Sequence, residues 1–321
     1  MTPMWQKVTA RQGSGQRNWR QLIVEFSSWV LLAILLVIGA VATPLFLRPS
    51  NLVDVLEQSA IIGVLSLGQF AVILTGGIDL SVGALLTLSG MVGALAMRHG
   101  IVAGVLASLM TCGGLGLVTG VIVVKGRLPP FIVTFAMMAI ARGVALSLTS
   151  GAPINLPVPA HPFAVIGTGV YPQLIWAGVI LITYIMLRRL PLGRHIYAVG
   201  GHIEAARVSG INTGAMLILV YTFSGLCAAI GGLIFMARST VALPTAGVGY
   251  ELQTIAAVVL GGTNLFGGEG NLAGAVIGVI ILTMLTNILD LTGVNPFWDF
   301  FAIGLVLWLA VIFRSRMIRR R

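Results

Sequence analysis

The chain has 321 residues, of which 57% are hydrophobic and only 9% are charged, and its formal net charge is +10 at pH 7. Soluble domains carry about 25% charged residues, so this composition excludes an ordinary soluble protein and indicates a membrane protein. The basic residues lie at both termini and in two short loops, with long apolar stretches between them. That distribution is typical of loops beside lipid, and it excludes nucleic acid as a partner, which would require a basic stripe with interleaved aromatic residues.

The apolar runs predict an all-α fold, a polytopic bundle of transmembrane helices. A helix needs about 20 apolar residues to cross a bilayer. Runs of about that length occupy residues 27–47, 55–75, 79–98, 101–124, 131–149, 172–188, 215–237, 271–290 and 297–313. A shorter run at 251–263 is interpreted as one further span, which gives about 10 spans. The transmembrane domain is therefore predicted to cover 27–313, between a basic segment at 1–26 and a basic tail at 314–321.

The basic residues also predict the orientation of the chain. In a ten-span arrangement, 15 of the 19 Lys and Arg residues lie on one side and three on the other. Cytoplasmic loops carry an excess of Lys and Arg, so both termini are predicted to be cytoplasmic. The first apolar run extends past Ala40 and Ala42, which mimic a signal-peptidase site. Its basic lead is long, and we interpret the run as an uncleaved span.

Two connecting segments are too long to be simple turns. Residues 150–171 contain four prolines and no basic residue, and they are predicted to be periplasmic and irregular. Residues 188–214 are basic and contain a helix-compatible stretch from Glu204 to Val208, so they are predicted to be cytoplasmic. Several glycines lie four residues apart within spans, including Gly116 and Gly120. We expect them to let helices of one bundle approach closely, and a face between two subunits is the alternative.

The segment predicted to be cytoplasmic contains the most informative motif, E-A-A-x-x-x-G, which resembles the coupling-loop signature of ATP-binding-cassette (ABC) importer permeases. Two alanines make a thin helix surface that can enter a groove on another protein. Gly210 can end the helix in a left-handed conformation, and Glu204 near the helix start suits the helix dipole. The alternative is an ordinary solvated loop. The residues predicted to couple to an ATPase are Gly200, Gly201, Glu204, Ala205, Ala206, Arg207 and Gly210.

Two Gly-Gly breaks interrupt the apolar runs, one at 76–77 and one at 261–262, near the end of the short run at 251–263. Irregular backbone persists inside a membrane only where it lines a cavity or is buried in protein, so the breaks mark a candidate translocation path. Asp79 is either a path residue or a cap for the helix that begins near Leu80. The path candidates are Thr75, Gly76, Gly77, Asp79, Ser81, Glu251, Gly261, Gly262 and Asn264.

Taken together, three motifs and their order along the chain resemble the high-affinity monosaccharide ABC permeases of the ribose, arabinose, xylose and galactose type. They are the coupling motif, the stretch from Ile73 to Gly83, and the stretches 244–252 and 259–270. The resemblance extends from about residue 45 to 313. One departure is His202, where many ribose-type members have asparagine.

The resemblance implies a permease in the bacterial inner membrane that carries a monosaccharide or similar polyol by alternating access. Its implied partners are an ABC ATPase, a periplasmic sugar-binding protein, a second permease subunit (the same chain or a sister chain) and membrane lipid. The sequence contains no GxxxxGK[ST] phosphate loop, so ATP and Mg²⁺ are expected on the ATPase and no cofactor on this chain.

The sequence contains little that indicates other classes of function. His and Cys residues are scattered, so no metal site is predicted, and no Ser/His/Asp set indicates an enzyme. The alternative to an ABC importer is an ion-coupled secondary transporter of a small polar solute. Asp79 is the residue that would supply its coupling site.

Overall fold

The computed structural model describes residues 19–295 and 297–318. Parts of the predicted terminal segments 1–26 and 314–321 therefore lie outside the described residues. The helices are α1 (Trp19–Ala42), α2 (Pro49–Leu74), α3 (Val82–Ala96), α4 (Ile101–Gly126), α5 (Pro130–Ser147), α6 (Tyr171–Tyr184), α7 (Pro191–Gly201), α8 (Ile203–Val208), α9 (Thr213–Ser239), α10 (Tyr250–Leu260), α11 (Leu272–Leu291) and α12 (Phe297–Ile318). Two strands, β1 (Ile154–Asn155) and β2 (Val241–Ala242), complete this almost wholly helical fold, so the predicted all-α class is confirmed.

Three short helical segments of other types join or extend these elements. Met97–His99 and Val158–Gly167 are 3₁₀ segments, and Ile185–Arg189 is a π-helical extension of α6. The predicted irregular loop at 150–171 thus contains β1 and one 3₁₀ segment. Within the described residues, seven helices are long and apolar enough to cross a membrane. Shorter apolar helices at Ser28–Ala42, Tyr250–Leu260 and Phe297–Leu309 match three further predicted runs, and a total of about 10 spans stays a prediction.

The helices divide into an inner and an outer group. In α2, 89% of the most apolar stretch of 18 residues is buried inside the bundle. The corresponding fraction is 28% in α4 and in α5. Helix α9 packs against α2, α3 and α4, so it lies at the centre of the bundle. Large exposed side chains such as Met110 on α4 and Phe135 on α5 form an apolar outer surface. An apolar exterior on long apolar helices is the arrangement that a bilayer stabilises.

Close helix packing depends on glycine at several crossings. A Cβ atom on Gly116 would lie 2.4 Å from the Tyr221 carbonyl oxygen, and one on Gly120 would lie 2.7 Å from the Cα of Ile218. Both contacts join α4 to α9. Gly274 of α11 meets Gly261 after α10 in the same way. The predicted packing of these glycines within one bundle is confirmed.

The bundle has two ends, which we name by the elements found there. The α7–α8 end contains the last turn of α2, because Gly200 lies against the Leu74 carbonyl. The ribbon end contains β1 and β2, which pair antiparallel with Ile154 opposite Ala242 and Asn155 opposite Val241.

From the ribbon, the chain runs back beside α3 into the bundle before α10 begins. Ala242 lies beside Gly90, and Gly247 touches Gly83 seven residues earlier on α3. The Gly247 N–H donates to Thr87 Oγ1 at 2.9 Å, which satisfies a buried backbone donor. Helix α10 therefore starts inside the bundle and needs only 11 residues to reach the α7–α8 end.

Candidate functional site

Helix α7 is held tightly against the bundle. It begins with Pro191, whose fixed φ and missing N–H suit the first turn of a helix. Ile196 and Val199 are buried in the core, and a Cβ on Gly200 would lie 1.8 Å from the Leu74 carbonyl oxygen and 2.5 Å from the Gly268 nitrogen. Gly200 is therefore a packing position, whereas nothing lies within 4 Å of a Cβ on Gly201.

Helix α8 is capped at both ends by local hydrogen bonds. At its start, the Ala205 N–H donates to His202 Nδ1 at 3.2 Å, so His202 fills the capping role that an asparagine side chain also performs. At its end, Gly210 has φ +84°, as expected for this position. The Gly210 and Ile211 N–H groups donate to the carbonyls of Arg207 and Ala206, which is the bond pattern of a Schellman motif.

The exposed face of α8 carries charged and apolar side chains. Arg207 forms an ion pair with Glu204 at 2.8 Å, with 70% and 62% of the two side chains exposed. Ala206 is buried, so of the two motif alanines only Ala205 lies on the exposed face. The sequence did not single out Val208, which is 84% exposed beside the ion pair. Its apolar side chain within a basic, polar segment was the available signal.

The first glycine break follows α2. Thr75 is buried, and its hydroxyl donates to the Val72 carbonyl at 2.8 Å. Gly76 has φ +79°, a conformation that favours glycine. A Cβ on Gly77 would lie 2.4 Å from the hydroxyl of Tyr221, a fully buried residue on α9. At Gly77 the backbone therefore turns in a space that admits no side chain.

Asp79 lies at the centre of a buried polar cluster. Its Oδ1 accepts from the N–H and hydroxyl of Ser81 at 2.9 and 2.6 Å, and its Oδ2 accepts from the Ser224 hydroxyl at 2.7 Å. The Gln69 side-chain amide binds the backbone of Asp79. In the orientation that satisfies both backbone groups, it donates to the Asp79 carbonyl at 2.9 Å and accepts from the Asp79 N–H at 3.3 Å. The cluster joins α2, the start of α3 and α9. Helix α3 starts at Val82, two residues later than expected, and its N-cap Ser81 makes no side-chain capping bond. Asp79 binds Ser81, which precedes the helix, so the predicted capping role of Asp79 is wrong.

The second glycine break lies in the loop 261–270, which follows α10, and the name is used below for this whole loop. Gly262 has φ +89°, and a Cβ on Gly261 would lie 2.2 Å from the Gly274 carbonyl oxygen. Asn264 stabilises the following turn, because its Oδ1 accepts from the Phe266 N–H at 3.2 Å. Gly261 and Gly262 also line a small cavity that Ser28 and Trp29 of α1 close from the other side.

The two glycine breaks and α7 meet at the α7–α8 end. The Gly268 N–H donates to the Leu74 carbonyl at 3.0 Å, and a Cβ on Gly267 would lie 2.6 Å from the Gly76 nitrogen. Gly200 lies against both segments. The candidate path residues therefore do not form one cluster, because Asp79 lies deeper in the core and Glu251 lies at the opposite end of α10, beside Gly83.

The hydroxyl of Tyr197 connects α7 to the second glycine break by a hydrogen bond that no sequence motif indicates. It donates to the Gly270 carbonyl at 2.9 Å and so ties α7 to the second break. Burial raises the pKa of the phenol, and the nearby Arg188 cation lowers it in part, so the hydroxyl keeps its proton at neutral pH. Across the described residues, no three or more His, Cys, Asp or Glu side chains are grouped to hold a metal ion.

Comparisons with known proteins found relatives that are similar over nearly the whole chain. The ribose import permease of Escherichia coli (strain K12) is 41% identical over 315 residues, covering 95% of this chain and 98% of the relative. The ribose import permease of Bacillus subtilis (strain 168) is 41% identical and covers 88% and 89%. The D-allose transport system permease of E. coli (strain K12) is 35% identical and covers 87% and 88%.

The comparison with solved structures found no match. A family model described as "Branched-chain amino acid transport system / permease component" matches residues 51–311, which include both glycine breaks and the α7–α8 segment. The seven long apolar helices agree with a multi-pass membrane protein. The chain therefore belongs to this family of transport-system permease components.

Proposed function

We propose that this chain is the membrane-spanning subunit of an ABC importer that carries a monosaccharide or similar small polyol. The family description names amino acids, whereas the similar full-length relatives are named for ribose and allose. Similarity over nearly the whole chain outweighs a description shared by a broad family, so we favour sugar. A transport subunit of this kind moves its substrate without changing it, and no enzymatic step is assigned to the chain.

The orientation follows from the charges. Arg188, Arg189, Arg194 and Arg207 lie at or near the α7–α8 end, which we therefore assign to the cytoplasm. The ribbon end then faces the periplasm, the three shorter apolar helices complete about 10 spans, and both termini are cytoplasmic. The location that fits is the bacterial inner membrane.

The observation that carries the proposal is the exposed helix α8. It is short, capped at both ends, and fixed to the bundle only by its buried side, while Ile203 and Val208 expose apolar side chains around the Glu204–Arg207 pair. An apolar helix face with a charged rim suits a groove on another protein. We assign that groove to an ABC ATPase subunit, which would bind ATP and Mg²⁺.

The transport step is proposed to be alternating access between two permease subunits, identical or sister chains, embedded in lipid. A periplasmic binding protein would deliver the sugar to the ribbon end. The glycine breaks are the proposed path elements, with Gly76, Gly261, Gly262 and Asn264 in irregular backbone and Glu251 in the first turn of α10. No finding supports the ion-coupled alternative, because both Asp79 carboxylate oxygens accept hydrogen bonds from the chain's own groups.

The proposal is tested first by purifying the tagged chain in mild detergent and identifying what accompanies it. We expect an ATPase with a phosphate loop and a periplasmic binding protein. Uptake of labelled D-ribose, D-allose and D-fructose into cells is then compared for the wild type, Glu204→Ala, Gly210→Val and the exposed control His99→Gln.

We expect uptake of at least one sugar to be lost in the two α8 variants and kept in the control, with equal amounts of protein in the membrane. Transport by both α8 variants at the wild-type rate would contradict the coupling role of α8. A chain that purifies alone and transports without ATP would contradict the importer itself.

A further inference from the structure

One continuous segment, residues 238–270, connects the two ends of the bundle. At the ribbon end, Arg238 forms an ion pair with Glu57 of α2 at 3.3 Å, and β2 pairs with β1. Glu57 also accepts from the Gly169 N–H at 2.6 Å. The start of the segment is thus fixed to α2 and to the two loops at that end. Its far end is the second glycine break.

Between these points the segment is unlike the other inner helices. After the ribbon it runs as extended and turn backbone beside α3. Its helix α10 then has only 11 residues. Helix α10 packs on α11 through backbone contacts, because a Cβ on Gly278 would lie 2.0 Å from the Ala257 carbonyl oxygen. A short helix with irregular backbone at each end can shift at both ends without breaking its own hydrogen bonds.

Helix α7 contacts the far end of this segment through backbone packing and through a side-chain hydrogen bond. The backbone of Gly200 packs tightly on Gly267 and Gly268. The Tyr197 hydroxyl donates a hydrogen bond to the Gly270 carbonyl. The Gly268 bond to Leu74 ties the break to α2 but does not involve α7. Tyr197 therefore provides a direct side-chain link by which a displacement of α7 can pull on the loop after α10.

We propose that Tyr197 is a positioning residue for transport: its hydroxyl transmits movement of the α7–α8 segment to the loop 261–270 and thereby to α10. This inference rests on the proposed function, in which an ATPase moves α8. Because α7 and α8 are joined at His202 without an intervening loop, a displacement of α8 moves Tyr197 as well. The same segment carries the movement toward the ribbon end, where the binding protein would dock.

The test compares the Tyr197→Phe variant with the wild type in proteoliposomes. The complex is reconstituted with its co-purified ATPase and binding protein, and both ATP hydrolysis and uptake of labelled D-ribose, D-allose or D-fructose are measured. The variant keeps the ring and removes one hydrogen bond. We expect ATP hydrolysis to stay within about twofold of wild type, while sugar carried per ATP falls about fivefold, the effect of one neutral hydrogen bond.

The matched control is Tyr184→Phe, which makes the same chemical change on the exposed surface of α6 and should leave the ratio unchanged. An unaltered ratio in Tyr197→Phe would overturn the inference. So would a parallel fall in hydrolysis, uptake and melting temperature, which would show that the bond only stabilises the fold. A wild-type complex that carries none of the sugars with ATP would instead contradict the proposed function, and the inference would fall with it.

Discussion

Two carboxylates, Glu204 and Asp79, both lie near the start of a helix, yet their surroundings differ completely. Glu204 pairs with Arg207 three residues away on the same short helix, and both side chains are largely exposed. Asp79 is buried among hydroxyl and amide groups contributed by α2, the start of α3 and α9. An exposed pair contributes little to stability because water and salt screen it. A buried carboxylate with several donors fixes the fold, because each donor loses its partner when the carboxylate is removed.

The comparison teaches which of the two acids is available for function. Glu204 can exchange its partner for a group on another protein at small cost, since water already surrounds it. Asp79 cannot do so without opening contacts between three helices. We therefore expect substitutions at Asp79 to act on folding, and substitutions at Glu204 to act on transport while leaving folding intact.

The largest effect is expected for Asp79→Ala. The hydroxyls of Ser81 and Ser224 and one backbone N–H lose their acceptor inside the bundle, which should lower the free energy of unfolding by about 3–5 kcal/mol. Unfolding in detergent micelles, followed by tryptophan fluorescence, measures the change. If Asp79→Ala is as stable as the wild type but does not transport, Asp79 is a path residue and the contrast with Glu204 is lost.

A smaller effect of the same kind is expected for Ser224→Ala. The Asp79 carboxylate then loses one of the three hydrogen bonds that it accepts and keeps the two from Ser81. We expect the free energy of unfolding to fall by about 1–2 kcal/mol. The same unfolding experiment applies. The control is Thr222→Val, two residues before Ser224 on α9. It removes only the local hydrogen bond from the Thr222 hydroxyl to the Ile218 carbonyl. Equal losses in the two variants would show that Ser224 contributes nothing through Asp79.

Gly210→Ala tests the cap of α8 rather than its charge. At φ +84° an alanine is strained by about 1 kcal/mol, although nothing lies within 4 Å of the added Cβ. We expect a fall of about that size in the stability of the helix, measured as faster amide hydrogen exchange at Ala206 to Ile211. Exchange at Asn264 to Gly270 should not change. Protection equal to wild type would mean that the Schellman bonds do not hold α8 in place.

The smallest change in stability is expected for Glu204→Gln. The side chain keeps its size and loses an exposed ion pair, so the free energy of unfolding should change by less than about 1 kcal/mol and even less at high salt. The measurement is unfolding at low and high ionic strength beside the uptake assay. A loss of several kcal/mol would place Glu204 with Asp79 as a structural carboxylate.

Much of the fold could be predicted from the sequence because its signals are local. Long apolar runs predicted the helices, and the brevity of the run at 251–263 predicted a short α10. The stretch from Glu204 to Gly210 predicted both a helix and its left-handed end, since each depends on residues within one turn. The residues predicted to couple to an ATPase come from the same local pattern, and their role stays a prediction.

The remaining features depend on partners far apart in the chain, for which a local pattern carries no signal. Ser224 lies 145 residues beyond Asp79, and Gly270 lies 73 residues beyond Tyr197. The sequence left Asp79 open between a cap and a path residue because the choice depends on what surrounds it. Ala206 was expected on a docking surface, yet it lies on the buried side of α8. Which side of a helix faces the bundle depends on how the helix is oriented.

By itself, the sequence determined that this chain is a helical membrane protein with a permease coupling motif. Apolar length, the distribution of charge and one capped helix are properties of neighbouring residues. Only the tertiary structure decided that the two glycine breaks and α7 meet at one end, and that Asp79 joins three helices. Those contacts exist because glycine lets distant backbones approach and because buried polar groups must find partners wherever the fold supplies them.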